Sequence, residues 1–263
     1  MQNLTGKIVL VTGASSGIGE ACAYKFAESG ANLIITSRNI GKIESVKNDL
    51  NSKYPKIKVL ACQLDVRDKA GVRSFFETLP TEFKNIDILV NNAGLAHGLD
   101  KLQDGKIEDW EDMIDTNVKG LLYCTKYVLK IMTERNSGHI INIGSIAGHE
   151  VYPGGAVYCA TKHSVNAISR ALRCDLLGYD VKVTAVDPGM VETGFSVVRF
   201  NGDAERAKKV YENMTPLTAD DIADSVFYAA TRPKHVNINE IILMPVAQAS
   251  AGLVHRNNGN KAV

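Results

Sequence analysis

Short apolar runs and amphipathic stretches alternate along the whole chain of 263 residues. Seven of the runs are rich in Val, Ile and Leu and have few polar positions. This pattern is typical of strands that are buried on both faces of a parallel sheet. In chain order the runs read KIVLVTG, ANLIITS, IKVLACQ, IDILVNN, HIINIGS, VKVTAV and NEIILM.

Between most of these runs, apolar residues recur at the spacing of one helix face. The pattern predicts helices over residues 18–29, 40–50, 108–134 and 157–177, and Gly30 stands where the first of them should stop. Strands that alternate with helices, joined by right-handed crossovers, form a sheet with helices on both faces. The expected fold class is therefore α/β: a single-domain, Rossmann-type doubly wound parallel sheet of about seven strands.

The chain has no low-complexity linker, charge block or internal repeat that would divide it, so residues 1–263 are expected to form one domain. Two segments interrupt the alternation of strands and helices. One is a loop-rich stretch from residue 188 to about residue 203, and the other is a polar, glycine-bearing tail over residues 246–263.

Charge and composition indicate which classes of binding partner are unsuited to this chain. A net charge of +1 argues against nucleic acid or an anionic membrane as a main partner. The absence of a secretory signal, of a long apolar run and of paired cysteine motifs predicts a cytoplasmic protein. The six histidines do not have metal-ligand spacing, so no metal site is expected.

The sequence TGASSGIG follows the first predicted strand directly and leads into the first helix. Glycines allow a tight turn and a close approach to a pyrophosphate, while the helix start supplies N–H groups and positive potential. The position between a first strand and a first helix favours a dinucleotide site over a purely structural turn. The candidate cofactor residues in this motif are Gly13, Ser15, Ser16, Gly17, Ile18 and Gly19.

The end of the second strand indicates which dinucleotide is bound. NAD sites place an acid there, whereas NADP sites use an arginine for the 2′-phosphate. Here Ser37 and Arg38 occupy the position, and the next acid is Glu44. A solvated arginine is the alternative, but it would leave an NAD ribose without its usual acceptor. NADP is the predicted cofactor.

Two further strand ends could contact the same cofactor. Asp65 and Val66 could hold the adenine by a hydrogen bond and an apolar contact. Asn92, Ala93 and Gly94 supply small residues and amides where the backbone must pass close to a ribose. Each set would equally suit a loop cap or a turn.

Tyr158 and Lys162 are four residues apart, so they share one helix face. A phenol titrates near ~10, and a neighbouring cation would favour the phenolate. A lowering of the pKa by three units costs about 4 kcal/mol, so more positive charge would be needed nearby. Pairs of this kind are also common on solvated helix surfaces.

Together these motifs resemble the short-chain dehydrogenase/reductase family, and the match covers nearly the whole chain. It is carried by TGASSGIG, NNAG, YCATK, DTNVKG, NIGSIAG and the turn DPGMVET. The resemblance implies an oxidoreductase whose catalytic residues are Asn117, Ser145, Tyr158 and Lys162. It also adds Tyr158, Lys162, Pro188, Gly189, Val191 and Thr193 to the cofactor-binding set, and it implies a homotetramer.

The resemblance suggests a role for each catalytic residue. Ser145 would hydrogen-bond the reacting oxygen and Tyr158 would exchange a proton with it. Lys162 would stabilise the phenolate and bind the nicotinamide ribose. Asn117 would hold a helix bend and a water that connects Lys162 to solvent.

The C-terminal third is similar to a narrower group, the NADP-dependent 3-hydroxy acid dehydrogenases that act on serine, allo-threonine and related short acids. The stretches FSVVRFNGD, VNINEIILMPVAQ and AGLVHR carry this resemblance, although Glu192 and Thr193 occupy a turn that varies within the group. Two alternatives stay open. One is a short-chain reductase of bulky ketones or 3-oxoacyl thioesters, and the other is a dinucleotide sensor without turnover.

Arg199 is the candidate residue for substrate recognition, beside Ser145 and Tyr158. The resemblance places a lid around residues 188–215, and one arginine among apolar lid residues is costly to bury unless it meets an anion. A short hydroxy acid supplies a carboxylate of suitable shape. The apolar lid residues that would cover this arginine are Phe195, Val197, Val198 and Phe200. In the alternative, Arg199 points outward and pairs with Glu192 or Asp203.

Overall fold

The computed structural model describes residues 4–257, which form one seven-stranded sheet. All the strand pairs are parallel, and the order across the sheet is β3-β2-β1-β4-β5-β6-β7. This confirms the predicted fold class. The strands are β1 (Ile8–Thr12), β2 (Asn32–Ser37), β3 (Val59–Gln63), β4 (Ile88–Asn91), β5 (Gly138–Ile143), β6 (Val181–Pro188) and β7 (Glu240–Leu243).

Helices connect the strands and cover the sheet on both sides. In chain order they are α1 (Gly17–Glu28), α2 (Ile40–Lys53), α3 (Lys69–Thr78), α4 (Ile107–Ile114), α5 (Leu121–Glu134), α6 (Ala156–Asp175), α7 (Phe195–Arg199), α8 (Ala204–Lys209) and α9 (Ala219–Ala230). Within residues 4–257, no helix is both long enough and apolar enough to cross a bilayer.

Successive strand residues point to opposite faces of the sheet, so each strand contributes to two cores. Val9 and Val11 belong to the core on one face, with Phe26 of α1 and Val226 of α9. Leu10 belongs to the core on the other face, together with residues from α3, α5 and α6. Burial on both faces explains why most strand residues are apolar.

The helix predicted over residues 108–134 is interrupted. A π-helical segment, Asp115–Gly120, lies between α4 and α5, so the chain stays helical while its side-chain register changes. Such segments are frequent at functional sites, since the wider turn redirects one side chain. Asn117 lies in this segment.

The stretch predicted as loop-rich, from residue 188 to about 203, contains the short helix α7, and α8 follows at once. Neither helix is long enough to show a clear apolar period in the sequence.

The tail over residues 246–263 has too little apolar periodicity to fold alone, which predicts that it orders only against a neighbouring subunit, but as far as residue 257 it is held on its own chain. The side-chain oxygen of Gln248 accepts a hydrogen bond from the N–H of Met190 (2.8 Å). Arg256 donates to the carbonyls of Val210 (2.8 Å) and Glu212 (2.6 Å). These bonds hold the tail on the segment that contains α7 and α8. Residues 258–263 of the predicted tail lie outside the described part of the chain.

Candidate active site

The carboxyl ends of β1, β4, β5 and β6 meet at one edge of the sheet because the strands are parallel and adjacent. The connections from β1 and β4 leave in opposite directions, toward β2 and β5 respectively, which opens a crevice between them. Ligands of open α/β sheets bind in such a crevice. The motifs singled out in the sequence follow these strand ends.

The glycine-rich loop is shaped so that side chains are excluded. Gly13 and Gly17 have φ angles of +67° and +59°, which other residues rarely adopt. A Cβ on Gly13 would lie 2.9 Å from the Cα of Ala93, and one on Gly19 would lie 2.5 Å from the Gly13 carbonyl oxygen. The Thr193 side chain is 3.3 Å from the place of a Cβ on Gly17. The loop is therefore closely packed against both NNAG and the segment after β6.

The first turn of α1 follows this loop. Ser16 is the N-cap residue, but its side chain does not make a capping hydrogen bond. Ser15 is half-buried and Ser16 is exposed, while Ile18 packs against the apolar core. The start of α1 thus presents its N–H groups at the crevice, where they can bind an anion.

Ser37 and Arg38 lie at the end of β2, as predicted. Ser37 is buried, and its hydroxyl both donates to the carbonyl of Asn39 and accepts from its N–H, each at 3.0 Å. The Arg38 side chain is exposed, and within the described residues it forms no salt bridge. The guanidinium is therefore available for an anionic ligand, whereas Ser37 first stabilises the turn.

Asp65 and Val66 follow β3. Arg67 donates to the Asp65 carboxylate through Nε (2.9 Å) and through its main-chain N–H (3.0 Å). The side-chain hydrogen bond from Arg67 is the main reason why the pKa of Asp65 is lowered. Val66 is buried and packs against Gly120, where a Cβ would lie 2.6 Å from a Val66 methyl carbon.

The NNAG segment joins the glycine-rich loop to the catalytic candidates. The Asn92 amide donates to the carbonyls of Thr12 (2.9 Å) and Gly13 (3.0 Å). A Cβ on Gly94 would lie 3.3 Å from Oδ1 of Asn117 and 3.7 Å from Nζ of Lys162. The two ends of the site are therefore connected through this strand end.

Asn117 is buried, and both its amide oxygen and its amide nitrogen are hydrogen-bonded. Its Oδ1 accepts from the N–H of Leu95 (2.9 Å), and its Nδ2 donates to the carbonyl of Leu95 (2.8 Å) and to the hydroxyl of Thr161 (3.0 Å). The amide thus fastens the π-helical segment to the loop after β4 and to α6. Thr161 directly precedes Lys162 on that helix.

Lys162 is buried, and its ammonium donates to the carbonyl of Ile143 at 2.9 Å. Burial lowers the pKa of Lys162 to about 8, although the charge of Asp187 opposes this. The ammonium lies 5.9 Å from the ring centroid of Tyr158. The helical spacing therefore places the two side chains side by side, as predicted.

In this structure burial, rather than the neighbouring Lys162 ammonium, has the largest effect on the pKa of the Tyr158 phenol. Burial raises the pKa of Tyr158 to about 12, and the charge that opposes this rise is that of Arg199. A hydrogen bond with Ser145 also lowers it. Lys162 is directed to the Ile143 carbonyl instead.

Ser145 follows β5 and is held by the end of β6. Its hydroxyl donates to the carbonyl of Pro188 (3.4 Å) and accepts from the N–H of Ala147 (3.1 Å). Gly189 donates its N–H to Leu243 of β7. A Cβ on Gly189 would lie 2.4 Å from Oε1 of Gln248. The proline-glycine turn is thus packed between Ser145 and the C-terminal segment.

Arg199 points toward Tyr152 and Tyr158, and it does not adopt the alternative outward pairing with Glu192 or Asp203. The guanidinium carbon lies 5.0 Å from the ring centroid of Tyr158, and Nη2 donates to the hydroxyl of Tyr152 at 3.0 Å. Asp203 caps α8 instead. Among the described residues, Nε of Arg199 is buried and does not have a hydrogen-bond partner.

The apolar cover over this guanidinium is only partly as predicted. Phe195 packs against Tyr158, with ring centroids 5.8 Å apart, and Phe200 is buried. Val197 is half-buried, whereas Val198 is 45% exposed and does not cover the site. Val191 is half-buried and its carbonyl accepts from the hydroxyl of Tyr211 at 2.8 Å.

A small cavity beside Tyr158 and Arg199 is lined by residues that the sequence analysis missed. His97 and Trp110 are among them. The ring of His97 contacts the carboxylate of Asp112 at 2.8 Å, and Asp112 also binds Arg67. These residues do not belong to a recognisable sequence motif. They come from separate parts of the chain, namely α4, α7 and the loop that follows β4.

Comparison with known proteins agrees with this geometry. The sequence profile of the short chain dehydrogenase family matches residues 7–203. The NADP-dependent 3-hydroxy acid dehydrogenase YdfG of Salmonella typhi is 52% identical over 251 residues, which are 95% of this chain and 99% of that protein. Sulfoacetaldehyde reductase 2 of Chromohalobacter salexigens is 45% identical over 92% of this chain and 95% of its own.

A solved structure is similar along almost the same length. The closed form of a serine dehydrogenase complexed with NADP+ superposes with a TM-score of 0.89 at 49% identity. The match covers 95% of this chain and 99% of that one. From the profile match and these similarities, the chain belongs to the short chain dehydrogenase family.

Proposed function

We propose that this protein is an NADP-dependent oxidoreductase that interconverts a short 3-hydroxy acid and its 3-oxo acid or semialdehyde. Serine, allo-threonine and 3-hydroxypropionate represent the substrate class. The observation that carries the proposal is the Arg199 guanidinium beside Tyr158, 5.0 Å from its ring centroid. A half-buried cation next to a proton-exchanging phenol suits a substrate that has a carboxylate near its reacting carbon.

The residues around the crevice fit a dinucleotide phosphate. The glycine-rich loop leaves no room for side chains at Gly13 and Gly19, as a backbone that must approach a pyrophosphate requires. Arg38 would bind the 2′-phosphate, and Asp65 and Val66 would contact the adenine. The turn after β6 would lie against the nicotinamide end. Its cofactor-binding residues would be Pro188, Gly189, Val191 and Thr193.

In the proposed chemistry, Tyr158 exchanges a proton with the substrate oxygen as general acid or base. Ser145 stabilises the charge that develops on that oxygen through a hydrogen bond. When bound, the nicotinamide supplies or accepts the hydride. Arg199 binds the carboxylate and so orients the 3-hydroxyl toward Ser145 and Tyr158.

Lys162 and Asn117 support this chemistry. The Lys162 ammonium would bind the nicotinamide ribose, and the charge of the oxidised ring would add to the charges of Lys162 and Arg199 near the phenol. Together these charges lower the pKa of Tyr158 from the value that burial imposes. Asn117 bonds Thr161 to the π-helical segment, and this bond fixes the position of the neighbouring Lys162 in the site.

The segment around residues 188–215 would act as a lid whose closure depends on the substrate carboxylate. Phe195 and Arg199 already contact Tyr158 from this segment. A closed lid excludes water and strengthens the charge interaction with the acid. We assign residues 1–263 to one dinucleotide-binding oxidoreductase domain that includes this lid and the tail.

The assay also includes a sulfonate substrate, because a relative that is 45% identical is named a sulfoacetaldehyde reductase. A sulfonate would also pair with Arg199, so a short hydroxy sulfonate serves as a comparison with the carboxylate. A reductase of bulky ketones or acyl thioesters would not need an arginine directed at Tyr158 from this position.

The experiment is a spectrophotometric panel with NADP+ and NAD+. It includes short 3-hydroxy acids, a short hydroxy sulfonate and a bulky secondary alcohol. The proposal predicts the highest catalytic efficiency for a short 3-hydroxy acid with NADP+. Preference for the bulky alcohol would contradict the substrate class, and cofactor binding without turnover of any substrate would favour a dinucleotide sensor.

A further inference from the structure

Beneath the candidate catalytic serine lies a buried carboxylate that the proposed chemistry does not use. Asp187, near the end of β6, is 0% exposed. Its Oδ1 accepts the main-chain N–H of Ser145 at 3.1 Å. A Cβ on Gly144 would lie 1.7 Å from this oxygen, so only glycine at position 144 admits the carboxylate.

The second oxygen of this carboxylate faces a histidine. Oδ2 of Asp187 lies 3.0 Å from Nε2 of His149, which follows the short 3₁₀ helix that begins after Ser145. Nδ2 of Asn166, on α6, lies 3.0 Å from the same ring nitrogen and donates to the Gly148 carbonyl at 3.3 Å. An Nε2–H that donates to Asp187 cannot also accept from this amide, so the Asp187 contact is the bond that holds the ring and Asn166 packs beside it.

The other charged groups around this pair are few. Glu240 of β7 lies 3.8 Å from Nε2 of His149, and Arg170 of α6 is 3.6 Å from Glu240 at the surface. On the inner side, the charge of Lys162 acts on Asp187. A chain of polar contacts thus runs from Ser145 through Asp187 and His149 to solvent-exposed groups.

Asp187 is linked to both the main-chain N–H and the side-chain hydroxyl of Ser145. The carboxylate binds the serine N–H directly, and the next residue, Pro188, accepts a hydrogen bond from the serine hydroxyl. Burying an unpaired carboxylate is costly, so the His149 contact is what allows Asp187 to stay in this position. Loss of His149 would release the carboxylate and, with it, the end of β5.

We propose that His149 and Asp187 are a pair of positioning residues, which fix the catalytic orientation of Ser145 from beneath the site. The pair does not touch the substrate and acts only through the serine. This inference rests on the role of Ser145 in the proposed function. A histidine in a loop next to Ser145 does not indicate this role in the sequence, since its partner lies on another strand.

The test is a double-mutant cycle with Ser145→Ala and His149→Ala, measured as kcat and as KM for NADP+. His149→Ala should lower kcat about tenfold, the equivalent of roughly 1.4 kcal/mol, and leave KM for NADP+ unchanged. In the Ser145→Ala background the same change should have less than about a twofold effect. His149→Gln retains a donor at a similar reach and should restore most of kcat.

His163→Ala is the control, because His163 is an exposed histidine on α6 whose ring, among the contacts described, bonds only to the carbonyl of Cys159 in its own helix. It should leave kcat unchanged. Equal losses from His149→Ala in both backgrounds, or an unchanged kcat, would overturn the inference. Full activity of Ser145→Ala alone would instead contradict the proposed function.

Discussion

The guanidinium of Arg199 lies over the ring of Tyr158, with 5.0 Å between the guanidinium carbon and the ring centroid. The phenol is buried, which disfavours its ionised form, and Arg199 is the cation that opposes this effect most. A residue of the segment after β6 therefore acts on the same phenol that we expect to exchange the proton. Substrate recognition and proton transfer are joined at this contact.

Replacing Tyr158 by Phe removes only the hydroxyl and leaves the packing with Phe195 in place. We expect turnover to fall by about 10²–10⁴-fold, the usual contribution of a general acid or base. Binding of NADPH, followed by its fluorescence, should change by less than about twofold. Residual activity above a few per cent would remove Tyr158 from this role.

The direction of the reaction should determine the sign of the pH dependence. Oxidation needs the phenolate, so its rate should rise with pH, whereas reduction needs the neutral phenol and should slow as pH rises. Because burial raises the pKa of Tyr158 to about 12, the phenolate forms at neutral pH only with added positive charge nearby. Initial rates in both directions between pH 6 and about pH 10 test this. Identical profiles would count against a tyrosine base.

Lys162→Met should separate stability from activity. Burial lowers the pKa of Lys162 from 10.5 to about 8, so below pH 8 the folded protein holds a charge at a cost. That cost is relieved as pH rises from about 8 to 10.5, where the unfolded chain binds more protons. At pH 7 the free energy of unfolding of the variant should be higher than that of the parent by roughly 1–2 kcal/mol. Removal of the buried charge stabilises the fold, and loss of the hydrogen bond to Ile143 offsets part of that gain.

The same variant should lose activity and bind NADP+ more weakly, because the ammonium is expected to serve the ribose. Urea denaturation at pH 7 and at pH 10 gives the two stabilities. A variant that is less stable than the parent at pH 7, and equally active, would contradict both parts of this prediction.

Arg38→Asp should change the cofactor preference. The exchange removes a charge-assisted pair with the 2′-phosphate and adds repulsion, so NADP+ should bind more weakly by about 2–3 kcal/mol. NAD+ lacks that phosphate and should be little affected. Lys84→Asp gives the same charge change at an exposed site before β4, at the opposite end of the strands, and is the matched control. Equal efficiency of the parent with both cofactors would contradict the assignment.

We expect the protein to be a homotetramer whose long helices α5 and α6 pack against symmetry mates. Exposed apolar side chains lie on or after these helices, among them Leu122 (42% exposed) and Leu177 (87% exposed). Burial of such side chains would drive association. Light scattering should give about four times the 28.5 kDa chain mass. A monomer at micromolar concentration would refute this.

The sheet and the phosphate end of the site are predictable from the sequence because local patterns determine them. Apolar runs mark strands, and Gly13 and Gly17 are needed for backbone angles within one loop. Tyr158 and Lys162 are similarly related by helix spacing alone. The π-helical segment around Asn117 is less predictable, since its register depends on bonds to Leu95 and Thr161.

The substrate end depends on contacts between distant segments, and there the sequence was less informative. The inward direction of Arg199 follows from Tyr152, which lies 47 residues earlier in the chain. The tail was misjudged because Gln248 and Arg256 bond to main-chain groups, which leave no trace in a pattern of side chains. The same reason hides the contact between Asp187 and the N–H of Ser145.

Recognition of the substrate carboxylate by Arg199 is tested by comparing Arg199→Ala with the parent on two substrates. One is 3-hydroxypropionate and the other is its uncharged methyl ester. Arg206→Ala is the control. Arg206 lies in the neighbouring helix α8, and its guanidinium carbon is 4.3 Å from the ring centroid of Phe200. Arg199→Ala should lower kcat/KM by about 10–100-fold for the acid and by less than about twofold for the ester. Equal losses on both substrates, or no loss on the acid, would contradict recognition of the carboxylate by Arg199.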